Sequence, residues 1–339
     1  MQFREHVTLA PYTTFKIGGP ARWFAEAATE AEILEAVDFA RSRDLPLFAL
    51  GGGSNLLVSD DGFAGLVLRI GLKGIEQQGD IFDVAAGEDW DGFVSYAVEQ
   101  DYAGVECLAG IPGTVGGTPI QNVGAYGQEV SGTVVRVRVL NLSTLKFEEF
   151  TNQACGFAYR RSVFNTTERG KYLVTRVSYA LRKNGLPQIT YADLKRHFQG
   201  PKLASLREVS AAVREIRRGK GMFIVAGDPD CQSAGSFFKN PVITAEHFAR
   251  IAVQEVGEVP HYPTADGAVK IPAAWLLERS GFHKGYAMGA AGISSRHTLA
   301  LINRGGAKAA DIFALRDRIL AEVETRFGIR LEPEPVLLG

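Results

Sequence analysis

The chain has 339 residues, room for two or three domains at about 150 residues each, and a core of that size needs no disulfide or metal staple. Lys and Arg number 37 against 38 Asp and Glu, and the net charge of −1 removes any general attraction to nucleic acid or an anionic membrane. Three cysteines, Cys107, Cys155 and Cys231, form neither a disulfide framework nor a zinc spacing and fit a reducing cytosol, while no apolar run reads as a signal peptide or an inserted span.

Thr29-Glu30-Ala31-Glu32 is a capping box that opens a helix through Ile33, Leu34 and Val37, ending near Arg43-Asp44. Residues 45–50 form a short apolar run, predicted as a buried strand that feeds three glycines. Trp90 to Glu99 carries Phe93, Val94 and Ala97 on one helical face. Val135, Val137 and Val139 alternate with Arg136 and Arg138, the pattern of a half-solvated strand, and Leu173 to Leu181 alternates likewise. After 183–187 helices become more prominent, which sets a domain boundary near 183–200. Ser205-Leu206-Arg207-Glu208 is a second capping box, leading Val209, Val213 and Ile216 at helical spacing. Trp275-Leu276-Leu277 reads as a helix stopped by Gly281. From Ala309 onward Ile312, Leu315, Ile319, Val323 and Phe327 form one stripe, a core face and not a cofactor contact.

Glycine is the compositional excess: 38 residues, above the usual share of about 7%. Gly51-Gly52-Gly53-Ser54-Asn55 follows the 45–50 strand. It lacks the Gly-Lys-Ser/Thr ending of a Walker loop, and Leu56 stands where a Rossmann fingerprint needs its third glycine. Three glycines free the backbone to turn successive N–H groups inward as an anion nest, with Ser54 and Asn55 as side-chain donors; a plain turn is the competing reading. Gly110-Ile111-Pro112-Gly113-Thr114-Val115-Gly116-Gly117 is the denser cluster and runs on to Gly127. Two nests suit a ligand with two phosphates, so the residues alone read as a site for a nucleotide diphosphate.

These motifs carry a resemblance. In chain order, Thr13-Thr14-Phe15-Lys16-Ile17-Gly18-Gly19-Pro20, the two glycine clusters, Tyr159-Arg160, Ser233-Ala234-Gly235-Ser236-Phe237-Phe238-Lys239-Asn240-Pro241 and Leu331-Glu332-Pro333-Glu334 resemble the UDP-N-acetylenolpyruvoylglucosamine reductases, from about residue 10 to the end. The likeness implies an α+β protein: an N-terminal arm (1–18), a two-lobed FAD-binding domain of the vanillyl-alcohol-oxidase (PCMH) type (19–185, with lobes about 19–70 and 71–185) and a C-terminal α+β substrate-binding domain (200–339). It implies non-covalent FAD held by Gly51, Gly52, Gly53, Ser54, Asn55, Gly110, Ile111, Pro112, Gly113, Thr114, Gly116 and Gly117. NADPH is then the hydride donor, a UDP-sugar the substrate, and the setting cytoplasmic peptidoglycan precursor synthesis.

The same resemblance implies three catalytic residues. Arg160 binds and polarises the enolpyruvyl carboxylate, Ser236 donates the proton, and Glu334 sits beside the developing enol. Tyr191 resembles the substrate-capping tyrosine of the longer type within the family, and Tyr159, Lys220 and Asn240 its substrate contacts. Pro335-Val336-Leu337 departs from the family's usual valine-arginine step after the glutamate.

The chemistry has use for these side chains. Hydride added to the terminal enolpyruvyl carbon leaves an enolate close to a dianion, which an arginine can clamp in bidentate fashion. A positioned acid is worth about 10²–10⁴ in rate. A serine hydroxyl is a weak acid, so the oxygen it leaves needs stabilising, by Lys239 or a backbone N–H. An ionised Glu334 beside a dianion is repulsive; burial and negative charge are expected to raise its pKa toward the neutral, donating form. The six histidines include no metal-binding pair, so no metal is expected. Cys107, three residues before Gly110, is read as a core thiol in preference to a flavin attachment point. Two other readings remain open: a flavin oxidase of another alcohol or sugar, and a non-catalytic nucleotide-binding module.

Overall fold

A computed structural model describes residues 1–199, 203–264 and 266–339. The chain forms two units. The first comprises Met1–Val7, Ala21–Gly53 and Phe63–Gly219, the second Thr8–Pro20, Ser54–Gly62 and Lys220–Gly339.

The first unit holds two main sheets. In one, Pro20–Ala27 and Leu47–Leu50 both run parallel to Phe63–Ile70, and Arg4–Thr8 lies at the far edge. Helix α1 (Glu30–Arg41) links the parallel strands. Its capping box closes both ways: Glu32 N–H donates to Thr29 Oγ1 at 3.2 Å and Thr29 N–H to Glu32 Oε2 at 3.1 Å. Ile33, Ala36, Val37 and Ala40 pack into the same core as Ala25, Leu66 and Leu68. Leu47–Leu50 is an edge strand with only Leu50 buried, a correction to the buried strand expected for 45–50.

The other sheet is antiparallel, in the order Phe147–Thr151, Val134–Asn141, Tyr172–Ala180, Ile81–Ala85, Ile75–Gln78. Val137 and Val139 are fully buried, while Arg138 on the opposite face forms a bidentate pair with Glu30 at 3.0 and 3.2 Å. Helix α2 (Trp90–Glu99) covers the apolar face, with Phe93 edge-on to Phe82 and Trp90 against Tyr179. Helices α3 (Ala192–His197) and α4 (Leu206–Gly219) complete the unit. The Ser205 box forms, with Glu208 N–H donating to Ser205 Oγ at 3.2 Å.

The second unit has its own core, built by Phe237, Phe238, Leu276 and Leu277 around the stripe of helix α7 (Ala309–Phe327). Each fully buried large apolar side chain of that stripe is worth about 1.5–3 kcal/mol relative to exposure. Asp60 caps α7, accepting from Ala309 and Ala310 N–H at 2.8 and 3.0 Å, and Gly328 closes it at φ 65. The chain end returns to the same unit, where Val336–Leu338 pairs in parallel with Leu56–Val58. Helices α5 (Ala245–Gln254) and α6 (Ala273–Arg279) and two small antiparallel sheets fill the rest.

These units divide the chain differently from the segments read in sequence. The 1–18 arm is split, since Arg4–Thr8 is a strand of the first sheet and residues 8–20 belong with the second unit. Helix α4 lies with the first unit, beyond the 183–200 boundary, because Val209, Ala212 and Val213 share its core. Residue 200, the expected start of the last domain, lies outside the described residues.

Candidate functional site

In the first unit the two glycine loops press together backbone to backbone. A Cβ on Gly52 would sit 2.6 Å from Gly113 Cα, and one on Gly51 2.7 Å from Thr114 Oγ1. A Cβ on Gly116 would meet Ala86 Cβ at 2.6 Å, whereas Gly117 faces open space. Thr114 bridges Asp89 through bonds made by its neighbours, Trp90 N–H to Gly113 O and Val115 N–H to Glu88 O. The N–H groups of Gly52, Gly53, Gly113 and Thr114 therefore stay outside the backbone hydrogen bonding among the described residues, the condition for an anion nest. Ile111 and Pro112 lie half-buried in the same loop.

Helices α2 and α4 lock the start of this loop. Asp91 Oδ1 accepts the Gly110 N–H at 2.6 Å and pairs with Arg214 at 2.7 Å. Arg217 Nε donates to Gly110 O at 2.9 Å from a buried position, where desolvation lowers its guanidinium pKa against the opposing pull of Tyr126 and Asp91. Cys107 is a buried core thiol, as expected: desolvation first and then Glu106 push its pKa up, and Sγ donates to Gln188 O at 3.1 Å.

Arg160 sits on the first unit with a backbone φ of 56, an uncommon state for a residue with a Cβ. Asn165 Nδ2 holds its carbonyl at 3.1 Å, and the flanking Ala158 and Arg161 bridge each other. Its Nη1 lies 3.4 Å from the place a Gly124 Cβ would occupy. Such strain persists where the surroundings over-determine it, and it gathers at functional positions. Tyr159 is exposed beneath the Arg160 guanidinium, 5.4 Å from ring centroid to Cζ. Tyr191 is exposed at the head of α3 and packs edge-on against Tyr126 at 5.4 Å.

The second unit brings the segments carrying Ser236 and Glu334 side by side through one isolated antiparallel bridge. Phe238 bridges Pro333, with Glu334 N–H donating to Phe237 O at 2.8 Å and Lys239 N–H to Glu332 O at 3.0 Å. Asn55, expected among the flavin contacts, belongs to this unit. Its amide donates to Glu334 O at 3.4 Å and its own carbonyl accepts from Val336 N–H at 3.0 Å. Thr14 Oγ1 ties Ser54 O and Ser233 O together, at 3.4 and 2.6 Å. Lys220 opens the unit, half-buried, and Asn240 Oδ1 accepts the Ala273 N–H at the start of α6, at 2.9 Å.

Lys239, considered as a stabiliser of the serine oxygen, pairs with Glu332. The group that reaches Ser236 is His297, with Nε2 3.2 Å from Oγ. Sequence reasoning missed His297, which stands 61 residues away in a loop with no local signal. It also missed Arg217, although Arg217 falls four residues after Val213 on the buried face of α4, a spacing that marks an inward charge.

Fold and loops together define an α+β flavoprotein with a separate C-terminal unit. Residues 21–144 match the family model described as FAD binding domain, and 228–338 match that described as UDP-N-acetylenolpyruvoylglucosamine reductase, C-terminal domain. The chain is 47% identical to the UDP-N-acetylenolpyruvoylglucosamine reductase of Thermobifida fusca, over 99% of this chain and 98% of the relative. It is 40% identical to that of Pseudomonas aeruginosa, over 99% of each. The crystal structure of UDP-N-acetylenolpyruvylglucosamine reductase from Thermus caldophilus superposes with a TM-score of 0.70 at 27% identity, covering all of both chains. The chain belongs to the UDP-N-acetylenolpyruvoylglucosamine reductase family. The residues present fit FAD: Gly52 and Gly113 approach too closely for a Cβ between them, Gly117 faces open space, and the Gly52, Gly53, Gly113 and Thr114 N–H groups lie outside the backbone hydrogen bonding among the described residues.

Proposed function

We infer that this chain catalyses the NADPH-dependent, FAD-mediated reduction of UDP-N-acetylenolpyruvoylglucosamine to UDP-N-acetylmuramate, a cytoplasmic step of peptidoglycan precursor synthesis. The observation that carries this reading is full-length kinship to the reductases at 40–47% identity. Among the described residues no helix is long and apolar enough to cross a membrane.

FAD, when bound, supplies hydride transfer between NADPH and the enolpyruvyl group. The Gly51–Gly53 and Gly110–Gly117 loops hold its pyrophosphate without a covalent link, and Ser54 and Asn55 flank that contact. Arg160 binds the substrate carboxylate and stabilises charge as it develops there, aided by a backbone that fixes the base of its side chain. Ser236 gives its hydroxyl proton to the carbon next to that carboxylate. Glu334, whose N–H bonds the carbonyl of the residue after Ser236, stabilises the enol as a neutral donor. Tyr159, Tyr191, Lys220 and Asn240 contact the sugar nucleotide.

A visible spectrum tests the reading. The purified protein is expected to be yellow, to bleach with NADPH under anaerobic conditions, and to recover its colour on adding the enolpyruvyl sugar nucleotide. A colourless protein, or a bleached flavin that only oxygen restores, overturns it.

A further inference from the structure

We propose that His297 is a positioning residue for the reductase reaction: its Nε2–H aims the Ser236 hydroxyl at the substrate carbon and restores the proton that Ser236 gives away. This rests on the function proposed above. The geometry is the 3.2 Å approach of Nε2 to Oγ. The role answers a deficit in the chemistry, because a serine hydroxyl is a poor acid and the alkoxide left behind must be stabilised at once. Lys239 does not meet that need, being paired with Glu332.

The loop carrying His297 is held on every side. Ser294 N–H donates to Ala300 O at 2.9 Å and Ala300 N–H to His297 O at 3.1 Å, closing the turn. Before the histidine, Asp230 accepts from Ser295 N–H at 2.9 Å, Ser295 Oγ at 2.6 Å and Arg296 Nε at 2.8 Å. After it, Thr298 Oγ1 donates to Glu278 at 2.6 Å, and Phe237 N–H donates to Leu299 O at 2.7 Å. The last bond couples the loop directly to the residue after Ser236. A loop with no role beyond connection needs no such set of anchors, whereas fixing one ring nitrogen against one hydroxyl does.

The direction of the hydrogen bond follows from the reaction. A serine that must deliver its proton to carbon cannot spend it on the ring, so Nε2 is the donor and Oγ the acceptor. In the step, the Oγ–H bond breaks as the new C–H bond forms, the Nε2 proton of the imidazolium form passes to Oγ and leaves a neutral ring, and a solvent proton then returns to Nε2. The net transfer is one proton from solvent to carbon, with serine and histidine returned to their starting states.

The test uses the holoenzyme and separates its half-reactions by anaerobic stopped-flow. His297→Ala is expected to bleach with NADPH at the wild-type rate and to slow reoxidation by the enolpyruvyl sugar nucleotide by about 10–10²-fold, within the range of a general acid's contribution. His297→Gln, which keeps an N–H donor, is expected to recover part of that loss. The double variant with Ser236→Ala is expected to be no slower than Ser236→Ala alone, since the histidine acts only through the serine. Nitrogen-15 NMR of the resting enzyme is expected to show the proton on Nε2. Unchanged reoxidation in His297→Ala, an additive loss in the double variant, or an Nε2 without its proton overturns the proposal. Wild-type enzyme that the sugar nucleotide fails to reoxidise overturns the function and this role together; normal reoxidation with an indifferent Ser236→Ala overturns this role alone.

Discussion

The backbone N–H of Glu334 donates to the carbonyl of Phe237 at 2.8 Å, so a residue five from the chain end is fixed in register beside Ser236. Chain ends fray unless something ties them down. Here the tie is strand pairing: Val336–Leu338 runs parallel to Leu56–Val58, and Ser59 N–H donates to Leu338 O at 2.7 Å. Leu338 is buried while Leu337 is exposed, as alternation along a strand requires.

Ending the chain at Leu331 therefore removes a strand as well as a carboxyl group. The shortened protein is expected to melt at a lower temperature and to lose turnover, so point variants make the sharper test. Glu334→Ala is expected to melt as wild type and to lose about 10²–10³ in turnover, the usual cost of one oxyanion donor. Glu334→Gln is expected to be milder, because an amide still donates one hydrogen bond. Full turnover by Glu334→Ala, measured at saturating NADPH, returns Glu334 to a surface role.

Ser236→Ala separates the two half-reactions. Bleaching by NADPH is expected at the wild-type rate, with reoxidation by the enolpyruvyl sugar nucleotide slowed by about 10²–10⁴. An equal loss in both halves points to damage at the flavin site.

How far the sequence led depends on distance along the chain. The capping boxes at Thr29 and Ser205 and the stripe from Ile312 to Phe327 are legible because partners lie three or four residues apart. The motif around Thr14 is legible as a likeness, but its physical reason is not: Thr14 joins Ser54 to Ser233 across 40 and 219 residues. The pairing of Val336–Leu338 with Leu56–Val58 and the approach of His297 to Ser236 are non-local in the same way, and no periodicity announces them. Helix α4 follows the 183–200 boundary read from composition yet packs with the first unit, where Arg214 pairs with Asp91 and Arg217 donates to Gly110 O, contacts more than 100 residues apart in the chain.

Gly52→Val is expected to purify without flavin. Its Cβ would lie 2.6 Å from Gly113 Cα, and backbone on both sides cannot yield as a flexible side chain does. The absorbance ratio of flavin to protein checks this, with circular dichroism to establish that the apoprotein keeps its secondary structure. Normal flavin occupancy in Gly52→Val removes these loops from the cofactor site.

The Asp230 carboxyl carries a pH prediction. Burial raises its pKa, but hydrogen bonds from Ser295, Arg296 and Ser294 outweigh that and hold it below the ordinary carboxylate value. A depressed folded-state pKa means the stabilisation is fully present above the unfolded value, about 3.9, and is lost as pH falls through the folded one. Asp230→Asn is expected to cost about 1–3 kcal/mol at pH 7, less than a fully buried pair because Arg296 is partly exposed. Denaturant melts from pH 7 down to pH 3 check the sign: the gap between wild type and Asp230→Asn should narrow only in the acid range. A gap that stays constant to pH 3 means the carboxylate's charge contributes nothing and its shape alone holds the loop that carries His297.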